Sequence, residues 1–261
     1  MADIALPFLD TGPAPRDATD DAPIVLLHGF AGDARGFSGL SDRLAPRRRT
    51  IAFDLPGHGR ALDWPRIGGA GAAARAVAGS LDVMEIPRAH VVGHSMGGAA
   101  ACLLALKAPE RVASMTLLAP GGFGTEINHA LLRHFASARE ASVIHLLFEQ
   151  FFGPDFVLPP LVVRQAAEWR ARPGVVETLV EIVKSLLDGP RQQVLPLEDI
   201  AALGIPVRLV WGTSDKVLPV TQARDVPGVF GVHVFDRMGH MPHLERTEAV
   251  ARIIGEQVSS T

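Results

Sequence analysis

An α/β fold with a mainly parallel central sheet is the architecture the sequence predicts, and three observations carry it. Six short runs, at 24–27, 50–53, 90–92, 112–118, 207–211 and 232–235, are strand-length and largely apolar. Strands covered on both faces by crossover helices read as continuous apolar runs, whereas strands with one wet face alternate. Longer segments of helical period lie between these runs, the alternation expected of a parallel sheet. The chain's 261 residues, 48% of them hydrophobic and 20% charged, suffice for one large domain or two small ones with a substantial core.

The run 24–27 is the first predicted strand, and a helix is expected over 36–44. Arg47-Arg48-Arg49 directly precedes the strand 50–53, where a solvated turn belongs. An Ala-rich helix follows at 70–84, then the strand 90–92 and a second Ala-rich helix at 96–108. Gly69-Ala70-Gly71-Ala72-Ala73-Ala74 fits a relaxed dinucleotide-binding pattern. No strand precedes it and no strand-borne acid follows, so it reads as a helix start. After the strand 112–118 the period breaks. Helical patterns near 126–138, 142–151, 161–171 and 175–187 are separated at Gly153-Pro154, Pro159-Pro160, Pro173-Gly174 and Gly189-Pro190. A block of helices inserted into such a sheet is expected to form a lid, giving a core of 1–120 and 203–261 and a helical lid at 121–202. The strands 207–211 and 232–235, with a short helix at 220–224 between them, return the chain to the sheet, and a helix at 247–258 closes it.

Composition excludes several function classes. Twenty-five basic residues against 28 acidic ones, a net charge of -3, leave no nucleic-acid footprint. No run reaches the roughly 18 apolar residues of a membrane span, and residues 1–10 lack the parts of a signal peptide. A soluble, cytoplasmic protein with neither nucleic-acid nor membrane partner is expected. A single cysteine, Cys102, excludes a disulfide framework and a Cys-rich zinc site. With no tyrosine, no mechanism can use a catalytic phenol. His240 and His243 lack a carboxylate at helical spacing, so no metal is expected. His129, His134 and His145 in the lid read as surface or packing residues.

Gly93-His94-Ser95-Met96-Gly97 carries the clearest chemical signal. It joins the strand 90–92 to an Ala-rich helix, so the serine stands on a sharp turn with glycines two before and two after it. A serine hydroxyl needs a base to take its proton and a third group to orient that base. Gly212-Thr213-Ser214-Asp215 places a carboxylate just past one strand, and Asp236-Arg237-Met238-Gly239-His240 places an imidazole just past the next. Two competitors are weaker: His243 follows Met241-Pro242 and suits a helix entrance, and Asp236 lies only four residues before His240. The oxyanion of a tetrahedral intermediate needs two aimed N–H groups. Met96, next to the serine, and Phe30, in the loop His28-Gly29-Phe30-Ala31-Gly32, are the expected donors.

His28-Gly29-Phe30, Asp54-Leu55-Pro56-Gly57-His58-Gly59, Gly93-His94-Ser95-Met96-Gly97-Gly98, Trp211-Gly212-Thr213-Ser214-Asp215 and Gly239-His240 occur in that order. Together they resemble the α/β-hydrolase superfamily over nearly the whole chain, and Ser95, Asp215, His240 is that superfamily's chain order. The resemblance implies an α/β-hydrolase fold with a helical lid insertion, a Ser-His-Asp triad and no cofactor. It also implies a β-hairpin ahead of the strand 24–27, of which only a short version fits here. Leu118-Ala119-Pro120-Gly121-Gly122-Phe123-Gly124-Thr125-Glu126-Ile127-Asn128 further resembles the hydrolase-like domain of the acyltransferase component of bacterial acetoin dehydrogenase complexes.

The expected function is hydrolysis of a small carboxylic ester, lactone or related acyl substrate through an acyl-enzyme. The lid's Phe123, Phe135, Leu146, Phe148, Phe151, Phe152 and Trp169 predict a mainly apolar pocket, with Phe123, Phe135 and Met241 as substrate contacts. Carbon–carbon bond hydrolases and cofactor-free haloperoxidases share this scaffold, and a non-catalytic small-molecule receptor would keep the fold without needing all three triad residues. The acetoin-complex resemblance implies acyl transfer to the thiol of a lipoyl arm. Read from Met1, the sequence leaves no room for a lipoyl domain ahead of residue 24, and Lys107, Lys184 and Lys216 fall in helical segments or the Asp215 loop. Hydrolysis is therefore expected to dominate.

Overall fold

A computed structural model describes residues 4–12 and 22–260; residues 1–3, 13–21 and 261, part of the expected core and of the N-terminal segment read for a leader, lie outside it. Among the described residues seven strands form one sheet: β1 (Phe8–Asp10), β2 (Ile24–Leu27), β3 (Thr50–Phe53), β4 (Ala89–His94), β5 (Val112–Leu118), β6 (Val207–Gly212) and β7 (Gly231–Phe235). Their order is β1-β3-β2-β4-β5-β6-β7. Only β1 is antiparallel, pairing with β3; the other neighbours are parallel.

Every residue of β2 to β5 is buried, which is why these strands carry no polar alternation. Successive side chains still point to opposite faces. Val25, Leu27, Ile51, Phe53, Val91 and Leu117 join one apolar layer; Ile24, Leu26, Ala52, Val92 and Leu118 join the other. The first layer is covered by α2 (Ala70–Val83) and α3 (Met96–Lys107), the second by α1 (Ser38–Leu44) and α10 (Thr247–Ser259). Cys102 is buried within the first layer. The glycine-rich segment before Ala73 opens α2 and follows no strand. Arg49 of the basic triplet pairs with Asp10 at 2.6 Å, tying β1 to β3.

Between β5 and β6 the chain forms α4 (His129–Ser137), α5 (Ala141–Phe148), α6 (Pro160–Arg170), α7 (Val175–Leu186) and α8 (Leu197–Ala202). The Asn128 side chain caps α4, accepting the Leu131 N–H at 3.1 Å, so that helix begins three residues later than its apolar period suggests. The pattern at 142–151 divides into α5 and a 3₁₀ turn over Glu149–Phe151. A second short helix, α9 (Pro242–Glu245), precedes α10. Among the described residues no helix is long and apolar enough to cross a membrane.

Candidate active site

Ser95 sits between β4 and α3 with φ 51° and ψ −115°, a conformation that costs a non-glycine residue roughly 1–3 kcal/mol and persists only where the surroundings impose it. Here they do. The Ser95 N–H donates to Leu118 O at 3.0 Å, and its carbonyl accepts N–H bonds from Gly98, Ala99 and Gly121 at 2.9, 3.1 and 3.0 Å. The flanking glycines are required by contact: a Cβ on Gly93 would strike the Gly97 carbonyl, and one on Gly97 the Leu27 carbonyl at the end of β2.

Asp215 follows β6 and His240 follows β7. The Asp215 carboxylate accepts the N–H groups of Val217 and Leu218 at 2.8 and 2.9 Å through Oδ1, and the His240 Nδ1–H at 2.8 Å through Oδ2. Both side chains are almost fully buried. With Nδ1 donating to Asp215, Nε2 of a neutral His240 keeps its lone pair. Asp236 is elsewhere, accepting from the Thr213 hydroxyl at 2.9 Å on the exposed side of the loop. His243 lies on α9, stacked near Phe37 and His94 at ring distances of 4.8 and 4.7 Å.

Three further sets of hydrogen bonds support this arrangement, of which the set at Glu245 belongs to no motif. His94 Nε2–H donates to the His240 carbonyl at 2.7 Å, joining the serine turn to the histidine loop. Glu245 on α9 accepts the Gly239 N–H at 3.1 and 3.0 Å and the Met241 N–H at 3.2 Å, and also takes the Gly153 N–H at 2.8 Å. Asp54 binds the Ala34 N–H at 2.8 Å and the Arg60 Nε at 2.6 Å, while His28 Nε2 accepts the Leu55 N–H at 2.9 Å. These last bonds pin the Phe30 loop against the loop after β3. An acid six residues past Gly239 is spaced to reach back over the histidine loop, a signal the sequence offered only to a reader who placed α9.

Four histidines around the site are held uncharged. Burial lowers the pKa of His28, of His94 and, to about 3, of His58 and His243; His58 is lowered further by neighbouring His28, His94 by His243 and His240, and His243 by His240 and His28. The ring stack therefore adds dipoles rather than positive charge at neutral pH.

Ser95 and His240 both line a cavity of about 490 Å³, walled by Leu132, Phe135, Phe148, Phe151, Trp169 and Arg170 of the inserted segment together with Met241. A second cavity of about 540 Å³ is also lined by Ser95, together with Met96, Ile67, Leu103, Leu186 and Leu195. Phe30, Ser95 and Leu132 line both. Of the expected substrate contacts, Phe135 and Met241 lie in the first cavity. Phe123 lies in neither: it is buried edge-on against Trp211 at 6.3 Å, because the chain leaving β5 turns under the sheet end before the helices begin. Leu146 points outward from α5, 65% exposed, and Phe152 stacks on Phe156 at 4.3 Å.

The family model described as the alpha/beta hydrolase family matches residues 24–253. The chain belongs to that family. It is 37% identical over 234 residues to the dihydrolipoyllysine-residue acetyltransferase component of the acetoin cleaving system of Pseudomonas putida, a match covering 87% of this chain but 61% of that protein. The chain thus spans about three fifths of that relative's length. It is 28% identical to the 2-hydroxy-6-oxononadienedioate/2-hydroxy-6-oxononatrienedioate hydrolase of Comamonas testosteroni, across 91% of this chain and 88% of that one. In fold it is similar to the meta-cleavage product hydrolase of Pseudomonas fluorescens IP01, with a TM-score of 0.83 and 23% identity over 97% and 93% of the two chains.

Proposed function

We propose that this family member is a serine hydrolase of small acyl substrates, carboxylic esters or lactones. The observation that carries the reading is the 2.8 Å bond from His240 Nδ1 to Asp215, beside a serine held at positive φ in the wall of the same cavity. His240 Nε2 takes the Ser95 proton as Oγ attacks the acyl carbonyl, and returns it to the leaving oxygen. Asp215 fixes the tautomer and stabilises the imidazolium. The Met96 N–H, in the first turn of α3 and so without an intrahelical acceptor, and the Phe30 N–H hold the oxyanion. Water, deprotonated by the same histidine, then cleaves the acyl-serine ester. The inserted helices act as a lid that excludes bulk water. No cofactor, nucleic acid or membrane enters this scheme, and the compartment proposed is the cytoplasm.

A second reading, acyl transfer to a thiol, is favoured by the 37% identity to an acetyltransferase component. One experiment addresses both. Ser95→Ala should reduce turnover of a chromogenic acetate ester by roughly 10⁴-fold or more with little change in Tm, and a fluorophosphonate should label the wild type once, at Ser95. Acetate should remain the main product when millimolar dihydrolipoamide is present. Labelling elsewhere rejects the nucleophile, a predominance of acetyl-thioester establishes the transferase, and binding without turnover leaves a receptor.

A further inference from the structure

The cavity over Ser95 contains a cation that the fold does not neutralise. Arg170, the last residue of α6, lines the cavity and is 1% exposed. No described carboxylate pairs with it: burial is the sole influence on its acidity, lowering its pKa to about 10, so it stays protonated at neutral pH. Its two terminal nitrogens make only long bonds, NH1 to Ala166 O at 3.5 Å and NH2 to Phe135 O at 3.4 Å, outside the usual N–H···O range. Among the described residues its Nε has no partner. The Phe135 ring lies 4.4 Å beneath the guanidinium carbon, and the C-terminal end of α6 adds a partial negative charge. Both soften the cost of burial, yet neither accepts the Nε proton.

The neighbouring side chain repeats the imbalance. Trp169 lines the same cavity, and its indole N–H is also buried without an acceptor. The other charged residues lining the cavity, Asp33 and Arg35, are bonded to each other at 2.6 Å. This part of the wall thus carries two buried donors without acceptors, one of them charged, and an uncharged ester leaves that charge unpaired. Native interiors pair such groups. With one guanidinium face on Phe135, the hydrogen-bonding groups left to a partner are the in-plane N–H groups, a fork that matches the two oxygens of a carboxylate.

We propose that Arg170 receives a carboxylate carried by the substrate, so that the chain acts on acyl substrates with a second, anionic end, such as half-esters of short dicarboxylic acids or lactones bearing a free carboxylate. The proposal rests on the serine-hydrolase reading for its chemistry but not for its binding. Trp169 would add a single N–H bond to the same anion or to an oxygen beside it.

The test uses two 4-nitrophenyl esters of matched length, the glutarate half-ester and the uncharged pentanoate, with wild type, Arg170→Gln and Arg170→Lys. The half-ester should be preferred by the wild type. The ratio of its kcat/KM to that of the pentanoate should fall by about 10- to 100-fold in Arg170→Gln, the loss of one charged hydrogen-bonded pair, and recover in part in Arg170→Lys. Equal rates for the two esters in the wild type, or an unchanged ratio in Arg170→Gln, overturn the proposal. Binding of monomethyl glutarate and dimethyl glutarate to the Ser95→Ala protein, followed by tryptophan fluorescence, needs no change at Arg170 and decides the matter if those variants fail to fold. Selective binding of the half-ester by Ser95→Ala, with no ester turned over by the wild type, upholds the anion seat and rejects the serine hydrolase. Equal binding of the two glutarates overturns the anion seat whatever the rates.

Discussion

At the scale of single residues, two aspartates twenty-one positions apart test the site. Asp215 gives three hydrogen bonds a buried acceptor, one of them from His240, whereas Asp236 bonds an exposed threonine hydroxyl. Replacing the acid of a serine triad leaves the geometry but frees the histidine to take the wrong tautomer, a loss of about 10⁴ in the serine-protease example. Asp215→Asn should therefore lower kcat of ester hydrolysis at least about 100-fold, and Asp236→Asn less than about tenfold, the ordinary effect of a surface change. Steady-state rates of the two purified variants check this, and the reverse order rejects Asp215. The positions of Ser95, Asp215 and His240 just past the ends of β4, β6 and β7 were legible in the sequence, because each follows an apolar run on a short glycine-containing turn. Arg170 was not. On α6 it follows Arg164 and Glu168 and precedes Arg172, and only the packing of that helix over Phe135 turns one member of a charged run into a buried cation.

At the scale of elements, the histidine loop owes its shape to α9 rather than to β7. Glu245 gathers N–H groups from Gly153, Gly239 and Met241, and the His240 N–H donates to Phe151 O at 2.7 Å, so the loop is bonded to the inserted segment on one side and to α9 on the other. Glu245→Gln swaps one acceptor oxygen for a donor that faces other donors. The expected cost is about 1–3 kcal/mol of stability, seen as a Tm lower by several degrees, together with about a tenfold drop in kcat as His240 loosens. An unchanged Tm and kcat would show that the carboxylate is not needed there. The buried strands were readable from their apolar runs, but the sheet's two edges were not equally so. The three residues of β1 are half-exposed or exposed, too few to show any period. β7 reads as apolar yet leaves Val232 and Val234, which share one face of this edge strand, 40% and 49% exposed. The six residues of α8 likewise give less than two turns of pattern.

At the scale of the molecule, the uncharged histidines make the fold acid-sensitive. His28, His58, His94 and His243 have folded pKa values below the ordinary 6.5, about 3 for His58 and His243. Between those values and 6.5 the unfolded chain binds more protons than the folded one, so stability rises with pH there. The contribution is complete above about pH 6.5 and is lost as pH falls toward about 3. Unfolding free energy measured in urea should drop steeply from pH 7 to pH 4. His243→Leu removes one such proton site from a ring whose Nδ1 has no hydrogen-bond partner, and should make that slope shallower by about one proton, or about 1.4 kcal/mol per pH unit. An identical slope would mean that His243 does not take up its proton on unfolding. Finally, Ser95 stands where two cavities meet, with Phe30 and Leu132 at the partition. On the proposed reading this gives the acyl half and the alcohol half of a substrate separate rooms. The alcohol can then depart through one room while the acyl group stays anchored in the other, and the incoming water or thiol follows the departing alcohol's path. Such an enzyme turns over in ping-pong order without opening its lid between half-reactions. Its selectivity for the two halves of an ester can also be altered one wall at a time.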